Sequence, residues 1–529
     1  MKPFIKKTAL ALAVASTLGL SACNNDKQTT ISVAPVTKTT SGVITGFGSV
    51  FINGVEYETD DAVFVVDGVE GGEELLKLGM VVSLDGSANA DGTGNALSIE
   101  FDDDVEGVVI STDIAMDGTG TLNIMGVTVN IDEDTVFESK DATITTLSDV
   151  VAGNIIEVSG YSSGDGNVWA TRVEVKSAVK EEGKEMEVKG TISLLDEIAK
   201  TFVLGSITVD YSGAELEDDF TIADDLFVEV KSEDGLDANG ALLASKIELE
   251  DGGKKSLDHD DDNDEVELEG VITRLISDAE IEVNGHTVLL SATTKYVHGS
   301  AAIAAVGMKI KVKGDVDADG KLLAEKVIFK PSGDLKLAGR ISATDVASNT
   351  VTVFGVAITL SNSTMVKDDR DEDDLGADSA NIKYKFGVDD LAVGDWIKVK
   401  AYTNSDGGLT ATKMERKTED ADKEGKLVGK LVLAAGTTDY YIAGIKVDLT
   451  GFSDITLADG DKVELEGTFE NGVFTALEWE AKEEDEYYVG GKDADEDDSD
   501  DDDHSEEDED DDSEDDDEED EDDDDDHQS

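Results

Sequence analysis

A short motif built around one glycine recurs six times along the chain, and it limits the fold more than any other feature. Each copy reads apolar–x–apolar, one variable residue, Gly, then apolar–x–apolar. The copies lie at residues 50–57, 122–129, 202–207, 281–286, 351–356 and 440–445, the third in a slightly shifted form. Because self-similarity along a chain indicates an array of one structural unit, the sequence predicts tandem repeats of one small domain.

Each copy of the motif is predicted to be a β-hairpin within a longer series of strands. The pairs Asn53-Gly54 and Asn284-Gly285 are strong signals for a two-residue turn. A Gly-centred strand precedes each hairpin, and a strand with strict alternation follows it. In residues 308–313, three lysines alternate with apolar residues, which predicts one buried side and one solvent-facing side. A second hairpin ends each unit.

Five or six short strands in roughly 65–90 residues favour a small closed barrel, because closure removes exposed strand edges. The predicted fold class is therefore all-β, a tandem array of about six small closed antiparallel β-barrels that resemble oligonucleotide/oligosaccharide-binding barrels. A small sandwich is the alternative. Helix is expected to be nearly absent, apart from one short turn in residues 300–306.

The repeats divide the chain into segments. The predicted boundaries are a lipoprotein signal peptide at 1–22, a polar tether at 23–40, β repeats at 41–104, 105–178 and 187–250, an acidic linker at 251–265, β repeats at 266–331, 335–417 and 425–482, and a disordered polyacidic tail at 483–529.

The chain has a formal charge of −80, and its C-terminal end is the most acidic part. Residues 493–529 contain 29 Asp or Glu and no Lys or Arg, and the rest still carries roughly −51. With few apolar residues, this tail cannot offset the entropy of ordering and is predicted to bind divalent cations such as calcium weakly. The negative field repels nucleic acid, which excludes nucleic-acid binding as a function.

The single cysteine, Cys23, follows a segment typical of export. Lys2, Lys6 and Lys7 precede an apolar run at residues 8–20 that is too short to span a bilayer, and small residues come before the cysteine. The ending at residues 20–23 resembles the bacterial lipobox, which implies acylation of Cys23 and attachment to a lipid bilayer. In lipoproteins that this one resembles, Asp at the next position retains the protein in the inner membrane, so Asn24 favours the outer membrane.

The repeats themselves resemble a known family. The opening at residues 42–55, the segment Leu76 to Val82 with its Gly-Met pair, and the Gly-x-Leu-x-Ala ending are similar to the bacterial domain of unknown function 5666. The resemblance covers most of residues 41–480. It implies a secreted, repeat-bearing protein and carries no established activity.

Several acidic segments have some features of a metal site. Residues 315–320 imitate the start of an EF-hand loop, but Lys326 stands where that loop needs a bidentate acid, so a hairpin turn is favoured. The acidic runs at 102–104, 260–264 and 368–374 are interpreted as solvated loops, with weak divalent-cation binding as the alternative. The five histidines lack metal-ligand spacing, so no specific metal site is predicted.

No nucleophile motif, phosphate-binding loop or dinucleotide fingerprint was found in the sequence, so no catalytic or cofactor-binding residue is predicted. The expected function is a non-enzymatic envelope-anchored lipoprotein that acts as a structural or binding array, periplasmic or surface-exposed. The alternative is an array that binds polysaccharide or a small ligand on its barrel faces. This alternative ranks lower, because the aromatic residues near the closing strands do not recur at one position of the repeat: Tyr161, Trp169, Trp396, Tyr402 and Trp479. Candidate partners are divalent cations, glycans and other envelope proteins.

Overall fold

The computed structural model describes residues 36–482, except for 90, 116–117, 164–165, 182–183, 218–219, 251–264, 371–386, 405, 419–423 and 453–455. The described part is all-β, and its strands fall into six groups that follow the six sequence repeats. The predicted fold class, an array of small closed barrels, is confirmed, and the sandwich alternative is wrong.

Repeats 1 to 3 contain the first 21 strands. Repeat 1 has β1 (Val36–Phe47), β2 (Val50–Ile52), β3 (Val55–Glu58), β4 (Val63–Val66), β5 (Val69–Gly71), β6 (Val81–Ala88) and β7 (Thr93–Phe101). Repeat 2 has β8 (Val105–Ile114), β9 (Gly120–Ile124), β10 (Val127–Ile131), β11 (Val136–Ser139), β12 (Ile155–Ser162) and β13 (Asn167–Ser177). Repeat 3 has β14 (Met186–Thr191), β15 (Ser193–Asp196), β16 (Thr201–Leu204), β17 (Ile207–Asp210), β18 (Glu215–Leu216), β19 (Phe227–Ser232), β20 (Leu242–Leu243) and β21 (Lys246–Leu249).

Repeats 4 to 6 contain the remaining strands. Repeat 4 has β22 (Glu265–Ser277), β23 (Glu280–Val283), β24 (His286–Leu289), β25 (Lys295–Val297), β26 (Lys309–Val316) and β27 (Leu322–Phe329). Repeat 5 has β28 (Leu335–Asp345), β29 (Thr350–Val353), β30 (Val356–Thr359), β31 (Met365–Asp369), β32 (Trp396–Thr403) and β33 (Leu409–Lys417). Repeat 6 has β34 (Gly425–Lys430), β35 (Val432–Leu433), β36 (Tyr440–Ile442), β37 (Ile445–Asp448), β38 (Lys462–Glu470) and β39 (Val473–Ala481).

Five strands pair in a closed ring, as repeat 4 illustrates. There β22 pairs with β23 and β26, β23 pairs with β24, and β27 joins β24 to β26. Repeats 1, 2 and 5 have the same ring, whereas Ile192 and Leu431 interrupt the first strand of repeats 3 and 6. The contact between β24 and β27 is parallel, which differs from the predicted antiparallel barrel. A ring with an odd number of strands cannot alternate direction throughout, so one parallel contact is unavoidable.

The repeated hairpin has the turn that its sequence predicts. Asn284 and Gly285 both have positive φ, +49° and +77°, as a type I′ turn requires. In repeat 3 the glycine moves to the first turn position, and Gly205 has φ +54°.

A β-bulge lies elsewhere in repeat 4. The pairing of β26 with β27 shifts register at Gly314, where a Cβ would lie 2.0 Å from the Leu323 carbonyl oxygen. This bulge bends β26 and β27 around the barrel.

The first strands also join the repeats in pairs. Antiparallel contacts link β8 to β14, between repeats 2 and 3, and β28 to β34, between repeats 5 and 6. A parallel contact links β1 to β22, between repeats 1 and 4, although these strands are far apart in sequence.

The predicted C-terminal boundary of the tether, residue 40, lies too far along the chain. Residues 36–40 belong to β1, because their backbone pairs with both β6 and β22.

Each barrel has an apolar core, with Ile44, Ile52 and Ile99 fully buried in repeat 1. Burying one such side chain contributes about 1.5–3 kcal/mol. The cores of repeats 2 and 3 merge, as do those of repeats 5 and 6. The only helices found among the described residues are 3-10 turns, including Ala301–Ile303 inside the predicted segment, and none there is long and apolar enough to cross a membrane.

Candidate functional site

Repeats 1, 2, 4 and 5 meet around a cavity of about 680 Å³. The wall includes Val43 from repeat 1, Asp134 from repeat 2, Lys311 from repeat 4 and Lys400 from repeat 5. No single barrel therefore builds this site. It exists because four barrels pack together, and we take it as the candidate functional site since pockets of roughly 300–1,000 Å³ are typical of small-molecule sites.

A small apolar cluster holds the four repeats together beside the cavity. Its buried members are Val43, Leu78, Val136, Tyr161, Val271 and Met365, drawn from all four repeats. Polar contacts reinforce the junction of repeats 1 and 2, where the Thr171 hydroxyl donates to the Gly79 carbonyl oxygen at 2.6 Å. A Cβ on Gly79, which has φ +86°, would lie 2.9 Å from the Thr171 carbonyl oxygen. The close approach of the barrels therefore depends on glycine at this position.

An acidic loop of repeat 2 enters a group of lysines from repeats 4 and 5. Lys309 Nζ lies 2.7 Å from Asp132 Oδ2 and 3.3 Å from Asp134 Oδ2. Lys400 Nζ lies 2.8 Å from Asp134 Oδ1, and Lys336 pairs with Glu133. Partial burial would raise the pKa of Asp134, but the ammonium groups of Lys309 and Lys400 outweigh this effect and hold it well below its usual value.

Elsewhere in the wall, Glu269 of repeat 4 bridges two other groups. The Tyr161 hydroxyl donates to Glu269 Oε1 at 3.3 Å, and Lys330 Nζ lies 2.6 Å from the same oxygen. Burial raises the pKa of Tyr161, and the carboxylate of Glu269 raises it further. The phenol therefore stays protonated and acts as a donor that joins repeat 2 to repeat 4.

Lys311 differs from the other lysines of the cavity. Its Nζ donates to the backbone oxygen of Asn53 in repeat 1 at 2.9 Å, and in the described part of the chain no ion pair joins it. Burial lowers the pKa of Lys311 to about 8, although the carboxylate of Glu269 opposes this. Lys311 is thus a partly desolvated amine that faces the cavity without its own carboxylate.

Sequence reasoning missed this site, and one of its interpretations was wrong. The lysines that alternate in residues 308–313 were expected to face solvent, yet Lys309 and Lys311 line the cavity. The sequence contains one signal for this site, because a run of alternating lysines is unusual in a chain with a charge of −80. Of the five aromatic residues near closing strands, Tyr161 and Tyr402 line the cavity.

Two of the acidic runs contain a buried carboxylate among their described residues, so the interpretation as solvated loops is wrong for Asp103 and Asp368. Asp103 is buried at the seam of repeats 2 and 3, and Asp368 is buried in β31 beside Arg416 and Arg370. The guanidinium groups of Arg416 and Arg370 offset the free-energy cost of burying Asp368. Residues 315–320 run from the end of β26 into the hairpin turn that leads to β27, where Asp317 Oδ1 accepts from the backbone of Asp319 and Lys321. Cys23, the run at 260–264, residues 371–374 and the tail lie outside the described residues.

Comparison with known proteins agrees with the repeat structure. The family model of the domain of unknown function DUF5666 matches residues 35–100, 106–174, 189–248, 269–328 and 338–415. Each match overlaps one of repeats 1 to 5, and repeat 6, beyond these matches, has the same order of strands. No curated protein matches the chain. Because the matches together cover more than half of the sequence, the chain belongs to the DUF5666 family.

Proposed function

We propose that this chain is a non-enzymatic envelope-anchored lipoprotein whose barrels form one scaffold around a cavity that binds a small anionic ligand. The observation that carries this proposal is the cavity of about 680 Å³ whose wall needs four separate repeats. In a linear repeat array, each unit contacts only its neighbours in sequence. Here repeats 1 and 4 pair directly, which brings the walls of the cavity together.

The polar groups of the cavity favour an anionic ligand. Lys309, Lys400 and Lys330 already have carboxylate partners, whereas Lys311 has a backbone oxygen as its partner. A partly buried ammonium group that lacks a counter-ion is more stable when an anion binds beside it. The hydroxyl-bearing side chain of Tyr402 lies in the same wall and could hydrogen-bond a carboxylate, a phosphate or an acidic sugar.

The arrangement of the carboxylates supports binding rather than catalysis. Glu269 is held by Tyr161 and Lys330, and the loop of Asp132 to Asp134 is held by lysines of repeats 4 and 5. These contacts fix the position of the barrels. A general base needs a carboxylate or imidazole that is available to the substrate, and these carboxylates are occupied.

Ligand binding can be tested on the full chain by thermal shift and calorimetry. Small organic carboxylates, inorganic phosphate and glucuronate are compared with glucose, which has no charge. We expect binding of an anion that Lys311→Gln weakens at least about tenfold, because the ammonium is the ligand's main partner. Lys295→Gln, at an exposed lysine of the same repeat, serves as the matched control. Binding should weaken as pH rises through about 8, where Lys311 loses its charge. Equal binding by the Lys311 and Lys295 variants would remove the basis for this site.

The anchor is proposed from the sequence alone, because Cys23 follows a segment typical of a signal peptide. We expect wild-type protein to remain with the membrane fraction, and Cys23→Ala to appear in the periplasm or medium. Protease treatment of intact cells then distinguishes a surface-exposed protein from a periplasmic one. Membrane retention of the Cys23→Ala variant would contradict acylation at this residue.

Polysaccharide binding on the barrel faces is the second candidate. Such sites use exposed aromatic side chains, but Tyr161 and Trp396 are buried, with 2% and 7% of their surface exposed. Trp169 and Trp479 are only partly buried and remain available. A glycan array probed with the full chain tests this function, and binding that is unaffected by Lys311→Gln would favour the faces over the cavity.

A further inference from the structure

Three glutamates lie directly opposite one another at the seam between repeats 2 and 3. Glu157 of β12 faces Glu106 of β8, and Glu106 faces Glu187 of β14. Residues in register on neighbouring strands point to the same face of the sheet, and like charges in this position destabilise it. The chain nevertheless has three carboxylates in a row here, where uncharged side chains would avoid the repulsion.

Asp103 adds a fourth carboxyl group to this row, and we call Asp103, Glu106, Glu157 and Glu187 the seam cluster. One carboxylate oxygen each of Asp103, Glu106 and Glu157 lies within 4.8 Å of the others. This spacing suits a single ion, because Ca²⁺ binds oxygen ligands at about 2.3–2.6 Å, which places them on a shell of about 5 Å diameter.

A separate observation points to a missing partner. Asp103 is 96% buried, with only 4% of its surface exposed, and its Oδ1 has no hydrogen-bond partner. Buried carboxylate oxygens without a partner are rare, because the lost hydration is not replaced. The nearby cation Lys189 does not satisfy it, since its Nζ donates to the backbone oxygen of Asp103 at 2.7 Å and pairs with Asp102 at 2.7 Å.

The two other cations at the seam, Lys176 and Lys231, do not balance the charge of the carboxylates. Lys176 pairs with Glu157 and lies 3.6 Å from Glu106. Lys231 lies 3.9 Å from Glu187 and closer to Glu229 and Glu248, at 3.3 and 3.2 Å. Burial raises the pKa of Asp103 well above its usual value, and the carboxyl group of Glu187 raises it further. Either a proton shared with Glu187 or a bound cation can relieve this repulsion.

We propose that the seam cluster binds one Ca²⁺ ion, with Asp103, Glu106 and Glu157 as carboxylate ligands and Glu187 beside them. Hard oxygen donors of this kind favour Ca²⁺ or Mg²⁺ over metals that prefer thiolate or imidazole ligands, such as Zn²⁺ and Cu²⁺. The irregular arrangement of carboxylates from a loop and two strands suits the flexible coordination of Ca²⁺ better than the strict octahedron of Mg²⁺. The ion would neutralise the carboxylates that face Glu187 of repeat 3 across the contact between β8 and β14, and so relieve the repulsion between these strands. This inference does not depend on the cavity or its ligand.

Amide hydrogen exchange on the full chain tests the proposal, because it reports on individual strands. Cations bound elsewhere on this acidic protein therefore do not contribute to the signal from the seam. Exchange of β8 and β14 is measured with Ca²⁺ and with Mg²⁺ at the same ionic strength. We expect Ca²⁺ to slow exchange in both strands at least about tenfold, and Mg²⁺ to have a much smaller effect. Asp103→Asn should abolish the Ca²⁺ effect, and Asp113→Asn, at an exposed carboxylate of β8, should retain it.

Two further variants keep the test decisive. Glu157→Gln removes a second ligand and replaces Asp103→Asn if that variant loses its fold by circular dichroism. Lys176→Gln removes a competing cation, and we expect the seam to respond at a lower Ca²⁺ concentration. If Asp103→Asn keeps the full Ca²⁺ response, the ligand assignment is wrong. If the wild type shows no Ca²⁺ response and Asp103→Asn alone slows exchange, the cluster shares a proton and binds no ion.

Discussion

The side chain of Asn284 lies against Gly270 and hydrogen-bonds to both neighbours of that glycine. Its Nδ2 donates to the Glu269 carbonyl oxygen at 3.0 Å, and its Oδ1 accepts from the Val271 amide at 3.0 Å. A Cβ on Gly270 would lie 2.1 Å from Nδ2. The opening glycine of the repeat and the variable residue of its hairpin are therefore one packing unit. In repeat 1, Asn53 likewise donates to the carbonyl oxygen before Gly42.

Gly270→Ala should lower the free energy of unfolding, because the added methyl group displaces Asn284 and breaks two hydrogen bonds. We expect a loss of about 1–3 kcal/mol, measured by chemical denaturation. Gly213→Ala is the matched control, since a Cβ there meets no atom within 4 Å and the backbone does not have positive φ. Its effect should remain within about 0.5 kcal/mol of zero. Equal losses for the two variants would show that the contact with Asn284 is unimportant.

Asp368 should give repeat 5 a stability that depends on pH. Its side chain is fully buried, and Arg416 Nε donates to Oδ2 at 2.9 Å. Burial would raise the pKa of Asp368, but hydrogen bonds from Arg370 and Arg416 outweigh it and lower the pKa below its ordinary 3.8. A lowered folded-state pKa stabilises the fold above the unfolded-state pKa, and this stabilisation disappears as pH falls through the folded value.

Asp368→Asn should therefore cost about 3 kcal/mol at pH 7 and progressively less below pH 4, because it leaves the guanidinium groups without their carboxylate. Thermal unfolding over pH 2–7 measures the difference from wild type. Asp389→Asn, at an exposed residue of the same repeat, is the control and should show little effect. A pH-independent cost for Asp368→Asn would indicate lost packing rather than lost charge.

The repeat architecture was predictable because it depends on local chemistry. The Asn-Gly pairs specify a turn within two residues, and period-two alternation specifies which side of a strand is buried. These rules identified the hairpins and the barrel class without any long-range information, whereas the family was inferred from the resemblance of the repeat motifs. The parallel contact between β24 and β27 was missed, because it follows from closing five strands into a ring.

The cavity could not be predicted, because its contacts join residues that are distant in sequence. Lys309 and Asp134 are separated by 175 positions, and alternation shows only that Lys309 is on a polar face. Asp368 was assigned to a wet loop because acidic runs repel themselves. That argument omits Arg416, a counter-ion 48 positions away that pairing of β31 with β33 brings into contact.

The acidic tail should collect divalent cations without a fixed coordination shell. Extended charges at about 3.4 Å spacing lie well inside the Debye length of roughly 8 Å, so they repel one another strongly. Cations should reduce this repulsion at roughly millimolar concentrations, with Mg²⁺ nearly as effective as Ca²⁺. Calorimetry and X-ray scattering on a peptide of residues 493–529 measure binding and compaction. A saturable micromolar transition specific to Ca²⁺ would contradict diffuse binding and indicate a built site.

The ion pair of Asp134 and Lys400 should couple repeats 2 and 5 more strongly than an exposed pair of the same length. Their atoms lie 2.8 Å apart, with 33% and 14% of the side chains exposed. Lys446 and Asp439 in repeat 6 are also 2.8 Å apart but are exposed by 37% and 42%. Solvent and salt screen an exposed pair more, and holding its two mobile side chains costs more entropy.

A double-mutant cycle separates this coupling from other effects of each substitution. For Asp134→Asn with Lys400→Met, we expect an interaction energy of about 1–2 kcal/mol that changes little between low and high salt. For Asp439→Asn with Lys446→Met, we expect less than about 0.5 kcal/mol, and it should fall further in salt. Lys309 also contacts Asp134, so the first cycle is repeated in a Lys309→Met background. If the two lysines act together, the interaction energy between Asp134 and Lys400 should be smaller in that background. Similar energies for the two pairs would mean that apolar packing, rather than the acidic loop, holds the four repeats around the cavity.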